Sequence, residues 1–140
     1  MTMAGINRRS ALTLALAATS AAVVGEKALA QPYTATQGKQ LAPGVRLVPL
    51  GKRASMIPAY KTVSMRDIIV QPKAKVSLSS MPNDMICHCL EGELRVNQGP
   101  GMEFVAKKGD VWSCKTGGPE ADENIGTGVA IMRVIDLLTT

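Results

Sequence analysis

The sequence predicts an all-β fold for the part of the chain that follows its first thirty residues. Short runs rich in Val and Ile alternate with turn signals at close spacing, and this pattern is typical of a sandwich or a barrel. No run in this part has an apolar stripe of helical period over the length of a helix. About 110 residues remain after the leader, which suffices for one domain with one core.

Residues 1–30 are predicted to be a signal peptide. Asn7–Ser10 provides a positively charged start, and Ala11–Val24 is a run of small and apolar residues. Ala28-Leu29-Ala30 has small residues at the spacing that signal peptidase recognises, so we expect cleavage before Gln31. The apolar run has 14 residues and is too short to span a bilayer comfortably. We therefore expect no stable membrane anchor after cleavage.

Export predicts a location in the periplasm. Arg8-Arg9 followed by Leu12 resembles a twin-arginine signal, but the residues around the arginine pair leave the general secretory route open as well. In an oxidising compartment of this kind, cysteine thiols can form disulfides. Their number is odd, so at least one thiol is free, metal-bound or paired with another chain. The three cysteines are Cys87, Cys89 and Cys114.

The elements of the domain follow from the apolar runs and the turns between them. Residues 31–43 are polar and turn-rich and are predicted to form a flexible arm, and residues 44–140 form the domain. Residues 97–101 are predicted to be a hairpin turn and residues 116–126 a loop. The strands are predicted at 45–50, 60–70, 75–79, 85–96 with a break at Glu91-Gly92, 102–106, 111–114 and 127–138.

The charge of the chain argues against a nucleic-acid partner. The formal net charge is +5, and about +3 remains once the charged residues of the leader are removed. This excess is scattered along the chain, without a block of like charge. Few aromatic residues are present to stack on bases. A nucleic-acid surface needs both features, so we expect none.

Three stretches carry a resemblance to a known family. They are Cys89–Val96, with the sequence CLEGELRV, Gly101–Val105, and Lys108–Trp112, with the sequence KGDVW. In these stretches the chain resembles the cupins, which are small jelly-roll β-barrels. The resemblance implies a single cupin-like barrel, with a sharp bend at Gly92 and a tight turn at Gly109-Asp110. It also implies that a homodimer is to be expected.

The metal-binding motifs of the cupins are degenerate in this chain. By spacing, the two histidines and the glutamate of the first motif fall at Ser79, Met81 and Met85. In the second motif Gly117 and Asn124 match, whereas Lys115 stands for the proline and Glu120 for the histidine. The resemblance therefore implies the cupin scaffold without its usual centre of three histidines and one glutamate.

Soft donor atoms suggest a different metal site. Residues 81–84 are predicted to be a turn before the strand that begins at Met85. The hypothesis is that Met81, Met85, Cys87 and Cys89 share one inward face, with Cys114 on a neighbouring strand. Thioether and thiolate donors favour Cu(I), so copper is the first metal to test. Two alternatives stay open. These residues are also ordinary core fillers, and Cys114 could form a disulfide with Cys87 or Cys89.

His88 is the only histidine of the chain. The same alternation that turns Cys87 and Cys89 inward turns His88 outward. A register slip of one residue would reverse this assignment. His88 is therefore only a secondary candidate for a metal ligand.

Two functions are compatible with these features. The first is an exported cupin-like domain that binds a small molecule in the barrel interior, with no catalytic residue assigned, because no triad, phosphate-binding loop or dinucleotide fingerprint is present. The second is a cupin-type enzyme of oxygenase or isomerase type with an altered, soft-ligand metal site. A dimer of barrels joined at sheet edges is a third, structural interpretation. The pocket residues expected for the first function are Ser79, Met81, Met85, Cys87 and Glu120.

Overall fold

A computed structural model describes residues 33–140. The predicted signal peptide 1–30 lies outside the described residues, together with its cleavage site. Residues 33–140 contain ten strands and no helix, so this part of the chain has no helix that could cross a membrane. The strands are β1 (Lys39–Ala42), β2 (Val45–Ala54), β3 (Thr62–Val70), β4 (Lys75–Leu78), β5 (Asp84–Glu91), β6 (Glu93–Asn97), β7 (Glu103–Lys107), β8 (Val111–Cys114), β9 (Glu120–Asn124) and β10 (Ala130–Leu138).

The strands form two antiparallel sheets. A six-stranded sheet has the order β1-β2-β3-β10-β5-β8, and a four-stranded sheet has the order β4-β9-β6-β7. Two packed antiparallel sheets with long crossovers are the architecture of a jelly roll, which confirms the predicted all-β fold. The inward residues of both sheets form one core, whose fully buried members include Val45, Val70, Cys89, Leu94, Val96, Ala106 and Ala130.

Gly92 forms the bend that the sequence predicts. Strand β5 ends at Glu91 in the large sheet and β6 begins at Glu93 in the small sheet, so the chain changes sheets at this one residue. The φ of Gly92 is 78°, and a Cβ there would lie 2.8 Å from Ala130 Cα. Only glycine satisfies both conditions without strain.

The turn at Gly109-Asp110 also has the predicted form. The φ of Gly109 is 95°, and the backbone N–H of Lys107 donates to Asp110 Oδ2 at 2.8 Å. An aspartate that accepts from a nearby backbone N–H stabilises a turn of this kind. The predicted hairpin at 97–101 joins β6 to β7 in the small sheet.

Two strands occur where the sequence predicts none. Strand β1 lies inside the segment 31–43, which was expected to be a flexible arm, and it pairs with β2. Strand β9 lies inside the predicted loop 116–126, and it pairs with both β4 and β6. Most of their residues have low β-propensity, and pairing with neighbouring strands overrides it.

Strand β2 is longer than predicted. It was expected to end before Gly51, but it continues to Ala54 opposite β3. The register shifts between Pro49 and Gly51. This bulge accommodates a proline and a glycine within a strand, because both residues are tolerated where ladder pairing is interrupted.

Candidate functional site

Strand β5 carries its sulfur atoms into the barrel, as the alternation predicts. Met85, Cys87 and Cys89 are buried, with at most 4% of each exposed. His88 lies on the opposite face and is half-buried. It stands in register with Arg133 of β10 and Val111 of β8. His88 is therefore not placed with the interior donors.

Strand β9 supplies the polar side of the interior. Its alternate residues Glu120, Asp122 and Asn124 are buried, at 4%, 5% and 1% exposure. Glu120 is thus an interior residue and not part of a solvated loop. The amide of Asn124 donates to Val70 O and Gly128 O, and its Oδ1 accepts from the N–H of Gly126. These bonds give Asn124 a structural role at the end of β9.

A cavity of about 60 Å³ lies between the sheets. Four of the predicted pocket residues line it, and they are Met81, Met85, Cys87 and Glu120. The fifth, Ser79, is exposed and does not line it, because β4 ends at Leu78. Ser77 of β4 lines it instead. The remaining wall is mostly apolar and includes Ile68, Met132 and Val134.

The charged residues that line the cavity differ in how well they are paired. Arg66 binds Asp136 through two hydrogen bonds of 2.8 and 3.0 Å, and Asp136 also accepts from the amide of Asn83. Asp122 is different, because its Oδ1 is buried and has no hydrogen-bond partner among residues 33–140. Burial is the main cause that raises the pKa of the Asp122 carboxyl to about 8, and the negative charge of Glu120 and a side-chain hydrogen bond with Glu120 add to it.

Cys87, Cys114 and Glu120 converge at one wall of the cavity. Their donor atoms all lie within 4.8 Å of one another. Cys87 Sγ is 3.8 Å from Cys114 Sγ, and the Cys114 thiol donates to Glu120 Oε2 at 2.8 Å. The amide of Gln98 donates to the same Oε2 at 2.8 Å and to Ser113 O at 2.9 Å. The hydrogen bond with Cys87, burial and Glu120 all raise the pKa of the Cys114 thiol.

The cysteines are all free thiols, and Cys89 stands apart from the other two. Its Sγ lies 3.5 Å from the carbonyl oxygens of Glu91 and Gly92. Burial is the main cause that raises the pKa of the Cys89 thiol to about 11. The soft donor atoms expected from the sequence therefore do not form one cluster. Cys87 and Cys114 meet, whereas Cys89 belongs to the bend at Gly92.

Solved structures with this architecture are numerous. A conserved protein from Klebsiella pneumoniae with a double-stranded β-helix domain matches with a TM-score of 0.59 at 14% identity, over 74% of this chain and 84% of its own. The Cupin_2 domain of an XRE family transcriptional regulator from Enterobacter cloacae matches with a TM-score of 0.54 at 14% identity, over 66% of this chain and 94% of its own. This chain has the cupin fold.

A further cupin superfamily protein, from Desulfitobacterium hafniense, matches with a TM-score of 0.53 at 16% identity, over 71% of this chain and 83% of its own. No protein-family model matches the sequence, and no curated protein is found as a relative. At these identities the cupin fold is shown and the activity is not, since one fold supports many functions.

The residues present do not fit the usual metal centre of a cupin. Its four ligands would fall at Ser79, Met81, Met85 and Glu120. Ser79 is exposed and does not line the cavity. Met81 and Met85 line the cavity with thioether sulfurs, and only Glu120 offers an oxygen. A hard ion that prefers imidazole and carboxylate ligands lacks its donor set here.

Three residues in or beside this interior are not among those the sequence predicts, namely Asp122, Arg66 and Gln98. Asp122 was missed because 116–126 was expected to be a loop. The alternation of Glu120-Ala121-Asp122 was the available signal, because residues two apart share a face of a strand. Gln98 lies in the hairpin turn, and its contact with Glu120 joins residues 22 positions apart. No local pattern indicates such a contact.

Proposed function

We propose that this chain is an exported cupin-fold protein that binds a small molecule in its barrel interior, without the usual histidine and glutamate metal centre. The ligand has a hydrogen-bond donor, either an amine or a hydroxyl group, at one end and an alkyl portion at the other. It has about four to six non-hydrogen atoms, because one water needs about 10–15 Å³ of a cavity of about 60 Å³.

The observation that carries this proposal is the buried, unpaired Oδ1 of Asp122. Buried polar atoms in folded proteins nearly always have a hydrogen-bond partner. Leaving one without a partner costs about 1–3 kcal/mol. A ligand donor at Asp122 removes this cost. The neighbouring Glu120 makes a second acceptor available at the same end of the cavity.

The rest of the cavity favours an alkyl group. Met81, Met85 and Met132 line it together with branched aliphatic side chains. Methionine side chains adapt their shape to irregular ligands. A small number of polar groups in an otherwise apolar cavity is the usual composition of a ligand site.

The methionine methyl groups allow a direct test. We expect n-butylamine or n-butanol to shift the NMR signals of isotope-labelled Met81, Met85 and Met132. Met56 is the internal control, because 96% of it is exposed and it does not line the cavity. Butyrate has the same number of carbons but ends in an acceptor, so above about pH 8, where the Asp122 carboxyl is ionised and cannot donate, it should leave all four signals unchanged.

Two results would overturn the proposal. One is that neither the amine nor the alcohol shifts the three cavity methionines. The other is that butyrate shifts them equally. Replacing Asp122 by Leu should abolish the response to both donors. Replacing Glu123, which lies on the outer face of the same strand, by Gln should leave the response unchanged.

Export is part of the same proposal, and the charge and apolarity of residues 1–30 support it. Sequencing the N-terminus of protein from the periplasmic fraction should show Gln31 as its first residue. Replacing both Arg8 and Arg9 by Lys should block export if the twin-arginine route is used. Protein that stays in the cytoplasm with its first thirty residues intact would refute export. Light scattering of the processed protein tests the expected homodimer.

A second candidate function is a cupin-type enzyme of oxygenase or isomerase type with an altered metal centre. The convergence of thiol and carboxylate donors at the cavity wall favours it. It requires a transition metal in stoichiometric amount. Elemental analysis of protein purified without chelators tests it, and substoichiometric copper, iron, manganese and zinc would remove this candidate.

A further inference from the structure

We propose that Cys87, Cys114 and Glu120 form a binding site for one Zn²⁺ ion, with two thiolates and one carboxylate as ligands. The fourth tetrahedral position is left to water or another small ligand. This inference deepens the second candidate function by naming the ion and its ligands. It holds whether or not the chain is an enzyme, and it does not depend on an organic ligand in the cavity.

The spacing of the two sulfur atoms fits this ion. Zinc binds thiolates at about 2.3 Å with tetrahedral angles, which places two sulfur ligands about 3.8 Å apart. The Sγ atoms of Cys87 and Cys114 are 3.8 Å apart. A disulfide would require them at about 2.05 Å. The two thiols therefore stand at the separation that a shared metal requires and well beyond that of a covalent bond.

Glu120 needs only a small movement to become the third ligand. Its Oε2 lies 2.8 Å from Cys114 Sγ, where it accepts the thiol proton. A sulfur and an oxygen on one tetrahedral zinc lie about 3.5 Å apart, so the carboxylate withdraws by about 0.7 Å. The ion takes the place of the two thiol protons, which pass to solvent. No electron is transferred, and the bound site carries one net negative charge.

The supporting contacts resemble those of an organised metal site. Gln98 donates to Glu120 Oε2 and to Ser113 O, which fixes the carboxylate from its outer side. Such contacts orient metal ligands and strengthen binding. Cys114 also borders a second depression, of about 320 Å³, shared with Gln98 and Met81. We expect the ion to enter from outside the barrel through this depression.

The donor set distinguishes zinc from other ions. Two thiolates exclude hard ions such as Mg²⁺ and Ca²⁺, which prefer oxygen ligands alone. Cu(I) selects thiolate and thioether sulfur, and the sequence made copper the first metal to test. A carboxylate in the ligand set favours Zn²⁺, which accepts sulfur and oxygen ligands together. Dependence on Glu120 therefore separates the two ions.

The test is a titration of the reduced, metal-free full chain with Zn²⁺ against a chromophoric chelator. We expect one equivalent to bind. Cys87→Ser, Cys114→Ser and Glu120→Gln should each lower the affinity by about 100-fold or more. Cys89→Ser is the matched control, because Cys89 is equally buried on the same face of β5 but its Sγ hydrogen-bonds the carbonyl oxygens at the bend and is not part of the cluster of Cys87, Cys114 and Glu120. It should bind zinc as the wild type does.

Two further measurements keep the result independent of folding defects in the variants. In the wild type, Zn²⁺ should protect Cys87 and Cys114 from alkylation in mild denaturant and leave Cys89 unprotected. Co²⁺ in place of Zn²⁺ should give a thiolate charge-transfer absorption, which is halved in Cys87→Ala and Cys114→Ala.

Three outcomes would overturn the proposal. The first is the absence of a stoichiometric zinc site. The second is equal sensitivity to Cys89→Ser. The third is Cu(I) binding that displaces zinc and is unaffected by Glu120→Gln. Failure of the amine and alcohol to bind in the cavity would leave these outcomes unchanged, so the two proposals are separately testable.

Discussion

Two buried aspartates, Asp67 of β3 and Asp122 of β9, lie in contrasting surroundings. Asp67 is 1% exposed, on the outer face of the large sheet. It accepts two hydrogen bonds from the Arg133 guanidinium, at 2.8 and 2.9 Å, and one from the Tyr33 hydroxyl. Asp122 is 5% exposed, inside the barrel. No cation binds it among residues 33–140, and its Oδ1 is unpaired.

The contrast separates a structural carboxylate from one that is available to a ligand. The protein itself satisfies Asp67, so its burial contributes to the fold. Leaving Asp122 Oδ1 unsatisfied destabilises the ligand-free barrel, because a buried acceptor has lost its hydrogen bonds to water without gaining others. Buried polar atoms that the fold leaves unpaired are rare and need an explanation, and a bound ligand supplies one at Asp122. Asp122 is therefore the aspartate that we expect to bind a ligand, whereas Asp67 is already paired within the protein.

The largest expected effect comes from removing the partner of Asp67. Arg133→Met leaves the buried carboxylate of Asp67 without a cation, with only the Tyr33 hydroxyl as a donor, and should lower the free energy of unfolding by about 3 kcal/mol. This is at the low end of the range for buried pairs, because Arg133 is 34% exposed. Urea denaturation measures the change. Arg95→Met is the control, since its ion pairs are exposed, and it should cost about 0.5 kcal/mol. Similar losses in both variants would contradict the structural role of Asp67.

The second prediction concerns the pH dependence of the metal-free protein. The pKa of Asp122 is about 8 in the folded state and 3.8 in an ordinary aspartate. The folded state therefore holds a proton that the unfolded state releases. The resulting stability is fully present below about pH 4 and is lost as the pH rises through about 8. Denaturant midpoints measured over this range should fall as the pH increases.

Asp122→Asn should remove most of that decline. Above about pH 8 the variant should be more stable than the wild type by about 2 kcal/mol, because it buries no charge. Glu123→Gln is the control and should retain the wild-type slope, since Glu123 lies on the outer face beside Lys75 and Arg95. A slope that persists in Asp122→Asn would assign the pH dependence to another group.

The smallest expected effect tests the third contact of Asp67. Tyr33→Phe removes one donor and leaves both hydrogen bonds from Arg133. We expect a loss of about 1 kcal/mol in the free energy of unfolding, the usual contribution of one hydrogen bond. Tyr60→Phe is a comparison at Asp84, which is only half-buried, so that solvent can replace the donor. An equal or larger loss there would show that burial does not distinguish the two sites.

Much of the barrel could be predicted from local sequence. The bend at Gly92 and the turn at Gly109-Asp110 depend on backbone conformations that few other residues adopt. The inward face of β5 follows from its alternation, because apolar and sulfur-containing residues occupy every second position. These features are decided within a few residues, so the sequence alone indicates them.

The interior site could be predicted only in part. Strand β9 consists of Glu, Ala, Asp, Glu and Asn, all of which have low β-propensity. It is a strand because β4 and β6 pair with it on both sides, and this pairing is non-local. The same holds for the meeting of Cys87 with Cys114, which requires β5 and β8 to be neighbours. Ser79 was misplaced because the end of β4 was not evident from its sequence.

The pairing of β5 with β8 has a practical consequence. It sets Trp112 directly opposite Cys87, and the chain contains one tryptophan. Its indole packs edge-on against Phe104, with ring centroids 5.8 Å apart. Intrinsic fluorescence therefore arises beside the candidate site and from no other indole. Binding of an ion or molecule at this wall should therefore change the tryptophan fluorescence, which can be followed without a label.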